Sequence, residues 1–346
     1  MSFAAAISKA TDQAFGTTSR PGVDLLIGGI PVRLQTSDQQ LLSAFTAALT
    51  HHRRPITTPQ VVIRIWSAAA TGIQRPTMPG TLQQRVIDRC KILSEEERYL
   101  LDFDPTGRMV TVIDTATAQV NVCLSALEHL PHWERAAPLR SAMSWVLRQQ
   151  NVHLLHAAAV ADDAGAALLL GAGGAGKSTA SLRCYQAGMQ FLGDDLCAFQ
   201  AGSTPRVFNV YGTAKTVWND LADFQEFQSL LISKPGALKA VYALNQATTT
   251  RISTTSELRV LLLLDHSQPV GSVKRANRAK AVGIAASTTT SFLPGSGQPM
   301  LSALADLARH VPVLSISLGE EPQQVRALVQ RAIRHPEQLL EDCVGT

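Results

Sequence analysis

A glycine-rich stretch in the middle of the chain has the residue types that hold a chain of phosphates. Gly171 to Ser178 reads G-A-G-G-A-G-K-S, a complete match to the pattern G-x-x-x-x-G-K-[ST]. Small residues let successive backbone N–H groups turn toward phosphate oxygens, and a helix that starts there points the positive end of its dipole at them. We therefore predict that Lys177 reaches the β- and γ-phosphates of a nucleotide and that Ser178 binds Mg²⁺. The predicted nucleotide-binding loop comprises Gly171, Ala172, Gly173, Gly174, Ala175, Gly176, Lys177, Ser178 and Thr179.

A magnesium–nucleotide complex also needs a carboxylate, which normally follows an apolar strand. Asp194 and Asp195 follow the short run 189–193, and Asp265 follows the longer apolar run 258–264. The strand signal alone favours Asp265. The chemistry favours the pair, because one carboxylate can hold the metal while its neighbour orients or deprotonates an incoming hydroxyl. The residues by themselves leave both sites open.

Strands and helices alternate from residue 152 to the end of the chain. Apolar runs predict strands at 152–160, 166–170, 189–193, 258–264 and 313–318. The loop is expected to join the second of these strands to a helix ending near Ala187. The stretch 287–299, which is rich in Thr, Gly and Pro, is predicted to be a loop, and 287–291 is a candidate for closing over a substrate.

The first part of the chain has a different pattern. A glycine pair between apolar runs predicts a hairpin at 23–34, and further strands are predicted at 60–66, 99–103, 108–113 and 119–124. We interpret 1–150 as a smaller α+β region without a catalytic constellation, which could bind a substrate or partner, and 151–346 as the catalytic domain.

Composition and charge exclude several classes of protein. The net charge of +4 is too small to indicate nucleic-acid binding. The five cysteines, Cys90, Cys123, Cys184, Cys197 and Cys343, have no metal-binding or disulfide spacing, and the N-terminus does not read as a signal peptide. No apolar run approaches the length of a membrane span. A cytoplasmic protein without a membrane or nucleic-acid partner is therefore expected. The oligomeric state is left open, a homo-oligomer being one alternative.

Four segments, in this order and spacing, resemble the catalytic domain of bacterial HPr serine kinase/phosphorylase. They are His156-Ala-Ala-Ala-Val160, Leu168-Leu-Leu-Gly171, Gly176-Lys-Ser-Thr179 and Phe191-Leu-Gly-Asp-Asp195. They are more similar still to HPr-kinase-like proteins of peptide-modification and polysaccharide gene clusters, which include kinases of a lasso peptide precursor. The Gly-Asp-Asp element is also similar to that of ATP-dependent phosphoenolpyruvate carboxykinase, which shares this nucleotide fold. The resemblance spans 152–334.

The resemblance implies an α/β fold, namely a P-loop (HPr kinase/carboxykinase-like) nucleotide-binding domain with a mixed sheet, preceded by the smaller α+β region. It favours the acids at 194–195 over Asp265 and implies that His156 lies beside the transferring phosphate. Residues 210–215 resemble the family's Tyr-x-x-Ala-Lys element, which implies that Lys215 neutralises charge on the γ-phosphate. The implied catalytic residues are Asp194, Asp195, His156 and Lys177, and the implied metal ligands are Ser178 and Asp195.

The resulting hypothesis is an ATP- and Mg²⁺-dependent kinase that transfers the γ-phosphate to a hydroxyl, with a serine of a protein or peptide as the favoured acceptor. The alternatives are a non-catalytic nucleotide-binding sensor or scaffold and a small-molecule kinase. A GTPase and an ABC-type ATPase are disfavoured, because neither N-K-x-D nor L-S-G-G-Q occurs in the chain.

Overall fold

The computed structural model describes residues 2–16, 20–80, 92–95, 98–104, 107–130, 132–233, 237–248, 250–293 and 297–342. The chain forms two compact units, Met1–Val146 and Leu147–Thr346. Cys90 and Cys343 lie outside the described residues, and the other three cysteines are buried free thiols.

The first unit contains a seven-stranded mixed sheet with the strand order β1-β2-β3-β7-β6-β5-β4. Its strands are β1 Gly22–Ile27, β2 Ile30–Thr36, β3 Val61–Ser67, β4 Ile92–Glu95, β5 Tyr99–Phe103, β6 Met109–Asp114 and β7 Gln119–Leu124. Its helices are α1 Phe3–Phe15, α2 Gln39–Thr46, α3 Ala68–Thr71, α4 His132–Ala136 and α5 Arg140–Arg148, which runs into the second unit, with 3₁₀ turns at Ala47–His52 and Leu127–His129. The predicted first hairpin is confirmed: β1 and β2 pair antiparallel around Gly28 and Gly29, which both have positive φ.

The second unit is built on a nine-stranded mixed sheet. The strands of this sheet are β8 His153–Leu155, β9 Ala158–Asp162, β10 Gly165–Leu170, β11 Gln190–Gly193, β12 Cys197–Gln200, β13 Arg206–Phe208, β16 Thr255–Leu264, β17 Val273–Arg275 and β18 Val313–Ile316. A separate two-stranded sheet is formed by β14 Thr213–Thr216 and β15 Ala240–Ala243. The helices of the second unit are α6 Lys177–Gln186, α7 Arg278–Phe292, α8 Gly297–His310, α9 Pro322–Arg334 and α10 Pro336–Asp342, with 3₁₀ segments at Trp218–Leu230 and Leu244–Gln246.

Helices cover both faces of this sheet. β10, β16 and β18 run parallel and are apolar on both sides, and β9 pairs antiparallel with β10 on one side and with β11 on the other. Because successive strand residues point to opposite faces, Leu168 and Leu170 pack with α7 and α8, whereas Ala167 and Leu169 pack with α6 and α9. The predicted α/β class with a mixed sheet is confirmed.

Two local predictions are wrong. The stretch 152–160 is not one strand but two, because β8 pairs with β12 whereas β9 pairs with β10 and β11. The stretch 287–291 is not a loop but the last part of α7. Its hydroxyl groups donate to carbonyl oxygens three or four residues earlier, as Thr289 does to Ala285 at 2.6 Å, so these residues stay helical despite their composition.

Candidate active site

The glycine-rich loop connects the end of β10 at Leu170 to the start of α6 at Lys177. Gly176, the residue that caps α6, has a φ of +77°, a left-handed conformation that glycine adopts without strain. A side chain at Gly171 would come within 2.7 Å of Ala175 Cβ, so this position accepts only glycine without a shift of the loop. The loop therefore turns tightly around the first residue of the helix.

Lys177 lies inside this turn and is only 7% exposed. Its Nζ donates hydrogen bonds to the carbonyl oxygens of Gly171 and Ala172 at 2.8 and 3.1 Å. Burial lowers the pKa of Lys177, and the carboxylates of Asp194 and Asp195 partly oppose that effect. An ammonium group and the N-terminal end of a helix are thus held at the same place, which suits an anion.

Sheet register brings distant parts of the chain to the edge where this loop lies. Ala158 pairs with Leu169 and Ala159 pairs with Gly193, so the residues before β9 and those after β10 and β11 share one edge. His156 precedes β9, and Asp194 follows β11. The antiparallel order of three short strands is the reason that residues far apart in sequence meet here.

Asp194 and Asp195 both face Lys215 of β14. Asp194 Oδ2 accepts the backbone N–H of Lys215 at 2.8 Å, and Asp195 Oδ2 is 2.5 Å from Lys215 Nζ. Consecutive residues of a regular strand would point in opposite directions. Asp195 avoids this with a φ of +67°, a left-handed conformation that aspartate tolerates better than most residues. The break in the strand places two carboxylates in one site.

The two carboxyl groups have opposite electrostatic environments. Burial, followed by the charge of Asp195, raises the pKa of Asp194, and the Ser178 hydroxyl acts in the opposite direction. For Asp195, burial would raise the pKa, but the Lys215 ammonium outweighs it and the pKa is lowered. Asp194 Oδ1 is buried and accepts no hydrogen bond of good geometry from any residue within the described ranges. Of the two carboxylates, Asp195 is thus paired with a cation, whereas Asp194 keeps one buried oxygen without a donor.

His156 lies at the break between β8 and β9. Its backbone N–H donates to Thr289 Oγ1 of α7 at 3.0 Å, and its Nδ1 is 3.7 Å from Asp195 Oδ1. Burial is the main cause that lowers the pKa of His156 to about 4, although Asp195 opposes it. The imidazole is consequently neutral at pH 7 and lies beside an ionised carboxylate.

The structure thus brings together His156, the loop with Lys177 and Ser178, the two acids and Lys215. Asp265 also follows a strand that ends at this edge, but its carboxylate closes the next turn. Its Oδ1 accepts from the Ser267 hydroxyl and backbone N–H, and its Oδ2 accepts from Gln268. These hydrogen bonds hold the pKa of Asp265 below its usual range.

Three nearby residues were not predicted from the sequence. Thr289 fixes the His156 backbone, His266 Nε2 lies 3.2 Å from the Ala175 carbonyl oxygen of the loop, and Lys239 acts electrostatically on the site. No motif marks any of them. The one available signal was the position of His266, two residues after a strong apolar strand, since such strands end at this edge.

Within the described ranges, no group of three or more His, Cys, Asp or Glu side chains is arranged to hold a metal ion. A magnesium ion bound with a nucleotide needs fewer protein ligands, because phosphate oxygens and water complete its coordination. Ser178 and the unpartnered oxygen of Asp194 fit that requirement. In the same part of the chain, no helix is both long and apolar enough to cross a membrane.

Comparison with known proteins finds similarity among solved structures. No protein-family model matches the chain, and no curated protein is similar to it. The structure of the HPr(Ser) kinase/phosphatase from Coxiella burnetii is similar to 52% of this chain over 95% of its own length, with 15% sequence identity and a TM-score of 0.28. A likeness of this size does not identify the family or the activity of this chain.

Proposed function

We propose that the second unit is an ATP-dependent kinase that transfers the γ-phosphate to a hydroxyl, most favourably a serine of a protein or peptide. One observation carries the proposal: a buried pair of carboxylates lies next to the first turn of the helix that follows a glycine-rich loop, with one carboxylate oxygen left without a donor. Structural ion pairs normally satisfy each buried oxygen. A buried carboxylate that keeps one oxygen unpartnered, and that lies near a serine hydroxyl, suits a magnesium ion that accompanies a nucleotide.

The residues divide the work as follows. Lys177 and the backbone N–H groups of the loop bind the β- and γ-phosphates. Ser178 and Asp194 hold Mg²⁺, which supplies charge neutralisation of the phosphate oxygens. Assignment of the metal to Asp194 differs from the sequence-based hypothesis, which paired Ser178 with Asp195. It is supported by the ammonium of Lys215, which already engages Asp195 Oδ2.

Asp195 orients the acceptor hydroxyl and takes its proton. The serine Oγ forms a bond to the γ-phosphorus, the bond from that phosphorus to the bridging oxygen breaks, and ADP leaves with the electron pair. The lowered pKa of Asp195 makes it a weak base. This is sufficient, because a loose phosphoryl-transfer transition state requires proton removal only late. The cation of Lys215 keeps the Asp195 carboxylate ionised and in place, and the neutral His156 lies beside it.

The test is transfer of label from γ-³²P-ATP to a pool of serine-containing peptides, with the site of modification located by mass spectrometry. We expect Lys177→Ala to reduce transfer by at least roughly 10²-fold, the usual effect of losing one preorganised donor to the transition state. Asp195→Asn should also abolish most transfer. Lys274→Ala, a change at an exposed lysine of β17, is the matched control and should have no effect.

Unchanged transfer in either site variant would refute the assigned roles. Nucleotide binding without transfer to any acceptor, including water, would instead indicate the sensor or scaffold alternative.

A further inference from the structure

A third lysine lies beside the candidate active site without any motif to mark it. β14 and β15 pair antiparallel, and Lys215 of β14 is directly opposite Val241 of β15. Lys239 immediately precedes β15, and the same register carried one residue further sets it opposite Val217 and diagonal to Lys215. Diagonal neighbours across two antiparallel strands lie within reach of long side chains. Lys239 therefore lies within side-chain reach of Lys215, which contacts Asp195.

The electrostatics agree with this placement. Burial is the main cause of the lowered pKa of Lys177, and the charge of Lys239 adds to it. Burial acts to raise the pKa of Asp195, and Lys215, His156 and then Lys239 act to lower it. The charge of Lys239 thus acts on one loop cation and on one of the paired acids. The backbone before Lys239 is anchored, since Trp218 Nε1 donates to the Ala237 carbonyl oxygen at 2.5 Å.

The three lysines differ in what they contact. Lys177 donates to two loop carbonyls and Lys215 is paired with Asp195. Lys239 is exposed and makes no hydrogen bond or ion pair with any residue in the part of the chain that the structure describes. Its three N–H donors are therefore available for a ligand. The like charges of Lys177 and Lys239 repel each other. An anion bound between them would be attracted by both and would offset that repulsion.

We infer that Lys239 binds the terminal phosphoryl group of the nucleotide from the solvent side of the site. The inference rests on the proposed function. Lys177 contacts that group from the loop, Lys215 lies toward the acceptor, and Lys239 completes the set of cations around its three non-bridging oxygens. A lysine suits this position, because its flexible stem lets a compact charge follow the group during transfer.

The experiment is calorimetric titration of the whole protein with ADP and with the non-hydrolysable analogue AMP-PNP, both with Mg²⁺. Lys239→Ala should weaken AMP-PNP binding roughly tenfold, the lower end for a hydrogen bond to a charged group, and ADP binding less than about twofold. Lys239→Arg should recover most of the loss. Lys274→Ala is the control for a general loss of positive charge and should leave both affinities unchanged.

The ratio of the two affinities decides the inference. Equal weakening of ADP and AMP-PNP binding, or no weakening of either, would overturn the role of Lys239 while leaving nucleotide binding by the loop intact. Failure of the unmodified protein to bind either nucleotide would refute the proposed function, and the inference with it. Retained ADP affinity in the variant shows that it is folded.

Discussion

The ion pair between Lys215 and Asp195 should stabilise the folded second unit more than an exposed surface ion pair does. Both side chains are 15% exposed, and the Nζ and Oδ2 atoms are 2.5 Å apart. Lys215→Met removes the cation but leaves a carboxylate that is largely out of water. Breaking one side of such a pair costs about 3–5 kcal/mol. At about 2–4 °C per kcal/mol for a unit of this size, the lower figure predicts a fall of about 6–12 °C in its Tm.

The double variant Lys215→Met with Asp195→Asn provides the decisive comparison. Once the carboxylate is neutral, the missing cation matters less, so the double variant should be more stable than the sum of the two single changes by at least about 1 kcal/mol. The effect also depends on pH. The pKa of Asp195 is lowered in the folded protein, so its contribution is present above about pH 4 and is lost as the pH falls through the folded pKa. The destabilisation of the single variant should therefore shrink in acid.

Hydrogen exchange of peptides from β10 and β16, followed by mass spectrometry, measures the free energy of unfolding of this unit separately. The matched control is Arg259→Met, which breaks the ion pair with Glu257 at 2.9 Å, where both side chains are nearly half exposed. That change should cost less than about 1 kcal/mol. A Lys215→Met variant as stable as the control, or strictly additive single changes, would refute the reasoning that the carboxylate depends on Lys215.

Two other predictions test the loop and the first unit. Gly171→Ala should weaken AMP-PNP binding by roughly 5- to 100-fold in calorimetry, because its Cβ would meet Ala175 Cβ at 2.7 Å. The control is Gly283→Ala in α7, whose Cβ would meet nothing within 4 Å and which should leave the affinity unchanged. Similar affinities of the two variants would contradict the packing argument. Burial raises the pKa of Glu134 from 4.5 to about 7. Between these pH values the folded first unit keeps a proton that the unfolded chain releases. The free energy of unfolding of the first unit should therefore fall by about 3 kcal/mol between pH 4.5 and 7. Glu134→Gln should remove this pH dependence of the free energy of unfolding, measured in urea by hydrogen exchange of peptides from β6. A pH dependence that persists in the variant would show that another group causes it.

The sequence predicted the local structure of the loop because each part of it has a local cause. The apolar run of β10 requires burial on both faces. Gly171 is required by the close contact with Ala175, and Gly176 is required by its positive φ. The same is true of β16, which is continuous and buried. The short run 189–193 predicts a strand directly before Asp194 and Asp195, and β11 ends at Gly193.

The parts that the sequence could not predict depend on partners far along the chain. The sequence of 152–160, apolar apart from two histidines, does not show the break before β9. The break arises because β8 and β9 pair with different strands and the His156 N–H donates to Thr289. The end of α7 was assigned to a loop because serine and threonine are poor helix formers on average, yet here their hydroxyls bond to the preceding turn. Lys239 had no signal, since its position follows from cross-strand register with Lys215.

The central claim is that the loop and the paired acids bind one magnesium–triphosphate group. Titration of AMP-PNP in the presence of Mg²⁺ and in EDTA tests it most directly, with the unmodified protein, Asp194→Asn and Asp195→Asn compared. We expect Mg²⁺ to strengthen binding at least roughly tenfold in the unmodified protein and in Asp195→Asn, and to have little effect in Asp194→Asn, since one charged ligand is worth about this much. Binding that is indifferent to Mg²⁺ in the unmodified protein, or equally dependent on it after Asp194→Asn, would contradict the claim.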